Sequence, residues 1–347
     1  MERSLTIDRT KGLLIILVVL GHSLQYGYGA DYSDSLLFYD DYLFRAIYTF
    51  HMPLFMFISG YLFYNSNQRS FGTAIGTKLI YIGIPFLAYL SMWYVLWWHK
   101  SGMEVFYVSD FMRKMRGNMW FLSSLLLNSF IVACVTRLCN QKMSIVVLLL
   151  LSILSLFIDD ELLPAAHKFV YVFFVLGFFS KTVAANLYKF LKDRLAFGVL
   201  TPVFLCCILV YDADMTIYEG GLCIIHDGQV SLIQLYRDGL RLLIGVASTC
   251  WFMSLVFIIN HRCKLVLPFL ANLGKKTLGI YGMQSILFFM VNYIMDVADL
   301  HIPRNPITPI LLSGFILLCC ECLMALCDTN AITRLVFLGK KNNKHEK

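Results

Sequence analysis

Residues 12–29 read GLLIILVVLGHSLQYGYG, a run that no charged residue interrupts. A helix needs about 20 largely apolar residues to cross the hydrocarbon core of a bilayer, with about 17 as the short limit. Runs of this kind must be helices, because lipid offers no hydrogen-bond partner to an exposed backbone amide. Nine further runs follow, at residues 44–64, 79–98, 120–138, 143–158, 169–184, 195–211, 240–259, 278–297 and 307–327. The sequence therefore predicts an all-α polytopic membrane protein with about ten transmembrane helices, of which the fifth and sixth are marginal in length.

The composition agrees with a membrane protein. Of 347 residues, 59% are hydrophobic and 15% are charged, and the mean hydropathy is +0.69. An ordinary soluble domain is about half apolar and a quarter charged. Disorder, a secreted disulfide scaffold and a soluble enzyme are excluded. We expect one integral-membrane domain over residues 1–330 and a basic cytoplasmic tail over 331–347.

The charges of the loops indicate the orientation. Lys and Arg concentrate in alternate loops that include both termini, while Asp and Glu concentrate in the others. The positive-inside rule then places both termini in the cytoplasm. We interpret the first run as a true helix rather than a signal peptide, because His22 interrupts it and no convincing cleavage site follows. The net charge of +7 reflects this cytoplasmic bias and contact with membrane lipids, and we expect no nucleic-acid partner.

Two histidines lie inside predicted spans, where an ionisable residue is a functional hypothesis by default. His22 and His51 each lie about six residues from the outer end of their helix, so both are about 9 Å below the outer surface. Equal depth on adjacent helices predicts a shared site. The alternative is a pair of buried histidines bonded to backbone carbonyls.

Lysines mark the cytoplasmic ends of several spans. Lys11 precedes His22 by about three helical turns, so the two side chains share a face about 16 Å apart. Lys78, Lys275 and Lys276 lie at the cytoplasmic starts of the third and ninth helices. Together these lysines could form a cationic mouth for an anionic ligand. The alternative is ordinary anchoring of helix ends, which we favour for any single lysine other than Lys11.

Two outer loops carry unusual charge. The loop at residues 99–119 is basic, with Arg113 and Arg116 just before Trp120. It could contact lipid headgroups or a phosphate-bearing substrate, or it could fold back towards the site. The acidic loop at residues 212–239 is the longest outer connection, and it could cover an outward-facing site or simply be solvated.

Common catalytic and nucleotide-binding motifs are missing from the sequence. It has no GxxxxGK[ST], GxSxG or HExxH motif, which argues against an ATP-driven pump, a serine hydrolase and a zinc protease. The cysteines of the last span lack the paired spacing of metal ligands. We interpret them as small apolar side chains and expect no metal.

At several of these residues the sequence resembles the integral-membrane acyltransferases that include bacterial O-antigen and fucose O-acetylases. DRTKGLLIILVVLGHS (8–23) is similar to that family's first-helix signature, in which a basic residue precedes a histidine with ten residues between; Lys11 and His22 match it, with Asp8 three residues earlier. Weaker or later matches follow in family order: FHMPLFMFISGYLF (50–63), MWFLSSLLL (119–127), YVFFVLGFFSK (171–181) and LGKKTLGIYGMQ (273–284).

The sequence also departs from the family pattern at two positions. Many members begin the third helix with two basic residues spaced three apart; here Lys78 keeps the first and Tyr81 replaces the second. The ninth-helix motif commonly ends in His, where this chain has Gln284. With Gln in place of His, we do not expect residue 284 to act as a proton carrier.

The resemblance implies transfer of an acyl group, usually acetyl, from cytoplasmic acyl-CoA to a hydroxyl of a surface polysaccharide or lipid-linked glycan in the bacterial inner membrane. In that reading Lys11 and Lys78 hold CoA phosphates, with Asp8, Trp120 and the basic loop as further binding residues. His22 acts as general base, a role that suits an imidazole of pKa about 6.5. His51 contacts the acceptor, the thioester or His22.

Other functions are compatible with some of these features. A glycan or lipid transporter or flippase fits the ten spans and buried histidines, although no internal repeat supports it. A non-catalytic family member fits the substitutions at Tyr81 and Gln284. Direct transfer and an acyl-enzyme are both open, but Ser59 fits better as a helix contact with Gly60. The sequence leaves the acyl group, the acceptor and the oligomeric state open.

Overall fold

The structure is a computed structural model that describes residues 5–102, 109–111, 117, 119–183, 185–226, 229–262, 267–300 and 302–341. These ranges are almost entirely helical; their one sheet is an antiparallel pair of two-residue strands, Ile225–His226 and Gln229–Val230. The helices are α1 (Leu5–Tyr26), α2 (Ala30–Asp34), α3 (Tyr42–Tyr48), α4 (His51–Asn67), α5 (Phe71–Lys78), α6 (Ile84–Ser101), α7 (Trp120–Leu138), α8 (Gln141–Ser155), α9 (Ala165–Val183), α10 (Ala185–Lys192), α11 (Arg194–Val210), α12 (Leu232–Arg262), α13 (Leu267–Lys275), α14 (Thr277–Val297), α15 (Ile307–Cys327) and α16 (Ala331–Leu338).

Each of the ten predicted runs coincides with a helix, which confirms an all-α polytopic membrane protein. Six helical segments in the described ranges are long and apolar enough to cross a membrane: Tyr42–Asn67, Phe71–Ser101, Trp120–Leu138, Leu232–Asn260, Thr277–Val297 and Ile307–Cys327. Helices α9 and α10 together make a seventh candidate, bent by 99°. The remaining predicted runs fall on α1 and on the shorter apolar helices α8 and α11. The count of ten spans and the cytoplasmic placement of the termini stay predictions.

The outward surface of these helices is apolar. On α15, for example, Leu311, Phe315 and Leu318 are 68%, 58% and 63% exposed. Large apolar side chains at this spacing form one continuous helix face. Such a face is unfavourable in water, but it has no cost where lipid tails are the solvent.

The chain forms two compact units. The first unit comprises Met1–Phe38, Gly76–Ser123 and Phe269–Lys347, and the second comprises Tyr39–Ile75 and Ser124–Pro268. Within the first unit, α1, α14 and α15 pack on one another, and α6 packs on α14 and α16. Within the second unit, α4 packs along α9, and α11 packs along α12. Helix α16 (Ala331–Leu338) covers about half of the predicted tail over residues 331–347. The single domain over residues 1–330 stays a prediction.

Helix α12 begins at Leu232, eight residues before the apolar run predicted at 240–259. The extra turns contain polar residues that a hydropathy run excludes, including Gln234 and Asp238, and Arg241 follows as the second residue of the run. All three are buried, because the preceding outer loop folds over them and supplies hydrogen-bond partners.

Small residues allow α4 and α9 to approach closely in the second unit. A Cβ added at Gly60 would collide with the carbonyl oxygen of Phe174, and one added at Gly177 would collide with that of Phe57. The Ser59 hydroxyl donates to its own helix, to the Phe55 carbonyl at 2.8 Å. The contact at Gly60 confirms a close helix contact at this motif, as small residues form in membrane proteins, and the part of Ser59 in it stays a prediction.

Replacing Gly60 with alanine is expected to destabilise the protein by about 1–3 kcal/mol, because the added methyl group meets rigid backbone. The matched control is Gly198→Ala on α11, where a Cβ meets nothing within 4 Å; it should be neutral or slightly stabilising. Denaturant unfolding in detergent measures both variants. Equal stability of the two would contradict the close contact.

Candidate active site

Helix α1 is held at its first turns by direct backbone contact with α13. A Cβ at Gly12 would collide with the Leu270 carbonyl oxygen, and a Cβ at Gly274 would collide with the Asp8 carbonyl oxygen. Two glycines thus bring the helices together at van der Waals distance of their backbones. Asp8 is 3% exposed, so this predicted binding residue is buried in the helix contact.

His22 lies between aromatic rings in the first unit. Its ring stacks on Tyr26 of the same helix, with centroids 6.0 Å apart and an interplanar angle of 9°. Phe288 of α14 packs against it at 5.8 Å, and Tyr26 and Phe288 are 5.9 Å apart. The two rings fix the plane of the imidazole, which is what a base aimed at one substrate atom requires.

The His22 Nδ1 atom is buried and has no hydrogen-bond partner among the described residues. The Gln25 side chain lies within hydrogen-bonding reach of the ring. A buried ring nitrogen usually has a partner, and one without a partner costs free energy. In the first unit this nitrogen is therefore a candidate to receive a proton or hydrogen bond from a substrate.

Lys11 and Lys78 form a cationic pair in the first unit. Both side chains are half-buried, and the Lys11 ammonium acts electrostatically on that of Lys78. Lys78 ends α5, where the chain passes into a π-helical turn over Leu79–Gly83; such turns are frequent at functional sites. Two like charges held together repel each other, so an anion between them would be favourable. The predicted mouth for an anionic ligand stays a prediction.

Other lysines predicted at this mouth do not all belong to it. Lys276 precedes α14 and pairs with Glu321 of α15, while Lys275 is exposed. The first contact is an ion pair between helices, which agrees with structural anchoring of Lys276. Lys11 and Lys78 remain the candidates for binding an anion.

Trp120 begins α7, and its surroundings bear on the basic loop before it. Trp120 contacts the edge of Phe121 at 6.2 Å, and Phe121 packs at 5.6 Å on Tyr281 of α14. Earlier in the loop, Phe111 packs edge-on against Tyr94 at 5.2 Å, about 10 Å back from the end of α6. Within the described part of this connection, Phe111 therefore packs back onto α6, whereas the contact with α14 comes from Phe121 of α7. Arg113 and Arg116 lie outside the described residues.

His51 belongs to the second unit, where it begins α4. It is 4% exposed, and its Nδ1 is 2.8 Å from the Ile47 carbonyl oxygen. A carbonyl only accepts, so Nδ1 donates this bond and the lone pair of the neutral ring is on Nε2. Tyr48 packs edge-on against the ring at 4.6 Å. The bond to a backbone carbonyl matches the structural alternative for His51, and a site shared with His22 stays a prediction.

The sequence interpretation missed a buried ionic network in the second unit. Arg241 is 1% exposed and donates to the Met215 and Gly221 carbonyls at 2.7 Å and to Asp238 at 2.9 Å. Its guanidinium also bonds the carbonyls of Asp214 and Thr216. The signal was present, because an arginine lies at the start of an apolar run, but its charge was assigned to a loop.

A second pair ties the same loop to a neighbouring one. Lys168 has a fully buried side chain and bonds Asp160 at 2.8 Å. The other carboxylate oxygen of Asp160 accepts from the backbone amides of Leu222 and Cys223, at 2.8 and 3.1 Å. The long outer loop is therefore a folded structure that is fastened at several points, which rules out a plain solvated loop over these described residues.

Comparison with known proteins identifies the family. A family model described as an acyltransferase domain matches residues 5–326. The chain is 32% identical over 302 residues to nodulation protein NolL of Sinorhizobium fredii (strain NBRC 101917 / NGR234), an alignment that covers 84% of this chain and 80% of the relative. It is 28% identical over 306 residues to nodulation protein NolL of Mesorhizobium japonicum (strain LMG 29417 / CECT 9101 / MAFF 303099), covering 84% and 79%.

No solved structure matches the chain. The family model covers nearly the whole chain, including both the Lys11–His22 helix and the last predicted span. The resemblance drawn from the sequence motifs is confirmed. The chain belongs to the integral-membrane acyltransferase family and is an O-acyltransferase.

Proposed function

We propose that the protein transfers an acyl group, first of all acetyl, from cytoplasmic acyl-CoA to a sugar hydroxyl of a surface polysaccharide or lipid-linked glycan in the bacterial inner membrane. One observation carries this proposal: the His22 Nδ1 atom, which has no hydrogen-bond partner in the described part of the chain, and the cationic pair lie on one unit, with Lys11 and His22 about 16 Å apart along one helix. Phosphates and thioester of an acyl-CoA are separated by a long thin arm, which suits such a spacing.

In the proposed reaction, His22 accepts the proton of the acceptor hydroxyl as the hydroxyl oxygen attacks the thioester carbonyl carbon. The carbon–sulfur bond of the tetrahedral intermediate then breaks, and CoA leaves as a thiolate. The imidazolium returns its proton to that sulfur, which gives CoA and an ester and restores neutral His22. A positioned general base of this kind contributes about 10²–10⁴-fold.

Purified protein in nanodiscs tests the function. The substrates are labelled acetyl-CoA and lipid-linked glycans extracted from bacterial membranes, and the readouts are free CoA and label in the glycan fraction. The proposal predicts CoA release that depends on the glycan, with equal label in the glycan. Failure of the protein to bind acetyl-CoA would overturn it.

The cationic pair provides a separate prediction. Lys11→Met and Lys78→Met should each raise the KM for acetyl-CoA about tenfold, which corresponds to one charge-assisted contact with phosphate. In the double variant the KM should rise by less than the product of the two single increases, because the two lysines bind one group. Lys142→Met is the matched control, since Lys142 is an exposed lysine at the start of α8. Equal KM values in all three variants would exclude Lys11 and Lys78 from donor binding.

A further inference from the structure

Helix α14 carries two buried amide side chains on one face in the first unit. Gln284 is 1% exposed, and its Oε1 has no hydrogen-bond partner among the described residues. Asn292 also has a buried Oδ1 without a partner there. Phe288 lies midway between them at helical spacing, so the three side chains share a face.

That face is directed at α1. Phe288 contacts both His22 and Tyr26 of α1, so Gln284, one turn earlier, projects towards the same helix. At the other end, Gly274 near the end of α13 touches the backbone of Asp8, and α14 begins three residues later at Thr277. The two helices therefore run side by side in the same direction, with His22 level with Phe288.

This register gives the height of Gln284. It lies about 6 Å before the level of Phe288 and His22, and about 10 Å beyond the level of Thr277, where α14 begins. Lys11 is one turn beyond Asp8 on α1, and Thr277 follows the Asp8–Gly274 contact directly, so both lie near the starting ends of the two helices. Gln284 is thus between the cationic pair and His22, on the path that connects them.

An unpaired buried amide oxygen in this place calls for a donor. Leaving a buried polar atom unpaired costs about 1–3 kcal/mol of stability. If Gln284 only filled space, an apolar side chain of similar size would therefore give a more stable protein. The ligand expected along this path is the arm of acyl-CoA, which carries two amide N–H groups. Either N–H group could supply the hydrogen-bond donor that Gln284 Oε1 lacks among the described residues.

We propose that Gln284 Oε1 accepts a hydrogen bond from an amide N–H of the pantetheine arm and so holds the thioester at His22. Gln284 is a positioning residue for the donor, and this assignment rests on the proposed use of acyl-CoA. The oxygen acts as a neutral acceptor, and no proton is transferred at this position. The role therefore differs from that of a proton carrier.

Binding of three probes to purified protein in nanodiscs tests the assignment. Acetyl-CoA carries the arm, 3′-phospho-ADP carries the phosphates without it, and acetyl-pantetheine carries the arm alone. Gln284→Met removes the acceptor at similar volume. It should weaken acetyl-CoA and acetyl-pantetheine binding about tenfold, which corresponds to one lost hydrogen bond to a buried group, and leave 3′-phospho-ADP binding unchanged.

Two further variants separate this role from a structural one. Gln284→His keeps an acceptor nitrogen and should retain most of the acetyl-CoA affinity. Asn292→Leu removes the matched amide beyond Phe288 and should leave acetyl-CoA binding unchanged. If Gln284→Met binds acetyl-CoA like the wild type, or weakens all three probes alike, the assignment is wrong while the donor proposal stands. If the wild type binds neither 3′-phospho-ADP nor acetyl-CoA, the proposal that acyl-CoA is the donor is itself wrong.

Discussion

Replacement of His22 by alanine is expected to lower the rate of acyl transfer by about 10²–10⁴-fold, the contribution of a positioned general base. The ring has no hydrogen-bond partner at Nδ1 among the described residues, so its loss breaks no polar contact there. Stability should therefore change little beyond the packing against Tyr26 and Phe288 and the contact with Gln25. Turnover of labelled acetyl-CoA with glycan acceptor measures the first effect, and denaturant unfolding measures the second.

Two controls make this result specific. His99→Ala removes an exposed histidine at the end of α6 and should leave turnover unchanged. Acetyl-CoA should bind His22→Ala with nearly the wild-type Kd, because the base acts on the attacking hydroxyl rather than on the phosphates. Full turnover by a folded His22→Ala protein would exclude the general-base role.

Replacement of Arg241 by leucine is expected to lower the free energy of unfolding by about 3–5 kcal/mol, because it leaves a buried partner charge uncompensated. Arg241 bonds Asp238 and four backbone carbonyls of the outer loop. Without the guanidinium these acceptors lose their donor inside the protein. Denaturant unfolding of the second unit, followed by the accessibility of Cys223 to a thiol reagent, measures the loss.

Arg237 supplies the matched control on the same helix. Its side chain is 36% exposed, and it forms one ion pair, with Asp214 at 3.2 Å. A surface pair contributes about 0–1 kcal/mol, so Arg237→Leu should be nearly neutral. Asp238→Leu added to Arg241→Leu should recover part of the stability, because it removes the unpaired charge. An Arg241→Leu protein as stable as Arg237→Leu would show that the network does not hold the loop.

The helices and one end of the candidate site follow from the sequence because short-range rules govern them. Apolar length alone places each span, and helical spacing alone places Lys11 and His22 on one face. The proximity of Lys78 to Lys11 agrees with the prediction that both lie at the same ends of their helices. The helix contact at Gly60 could be predicted because only a residue without a Cβ allows two helix backbones to approach so closely.

The remaining features depend on contacts that a hydropathy run cannot contain. Arg241 looks like a loop charge until the loop folds over it and supplies carbonyl acceptors. From the sequence, Gln284 is only a substitution of the histidine that the family commonly has at this position. The contact of Phe288 with His22 shows that Gln284 faces α1. In the basic loop, Phe111 packs on Tyr94 of α6, but Arg113 and Arg116 lie outside the described residues, so its three possible interpretations stay predictions.

In the proposed reaction the acyl group enters as acyl-CoA from the cytoplasm and is transferred to a glycan with His22 as general base. Membrane vesicles of known orientation test it most directly. Labelled acetyl-CoA, which does not cross the bilayer, is added to inverted and to right-side-out vesicles that contain wild-type or His22→Ala protein. The account predicts label in the glycan fraction only for inverted vesicles with the wild type. Equal labelling by both orientations, or by the His22→Ala protein, would contradict it.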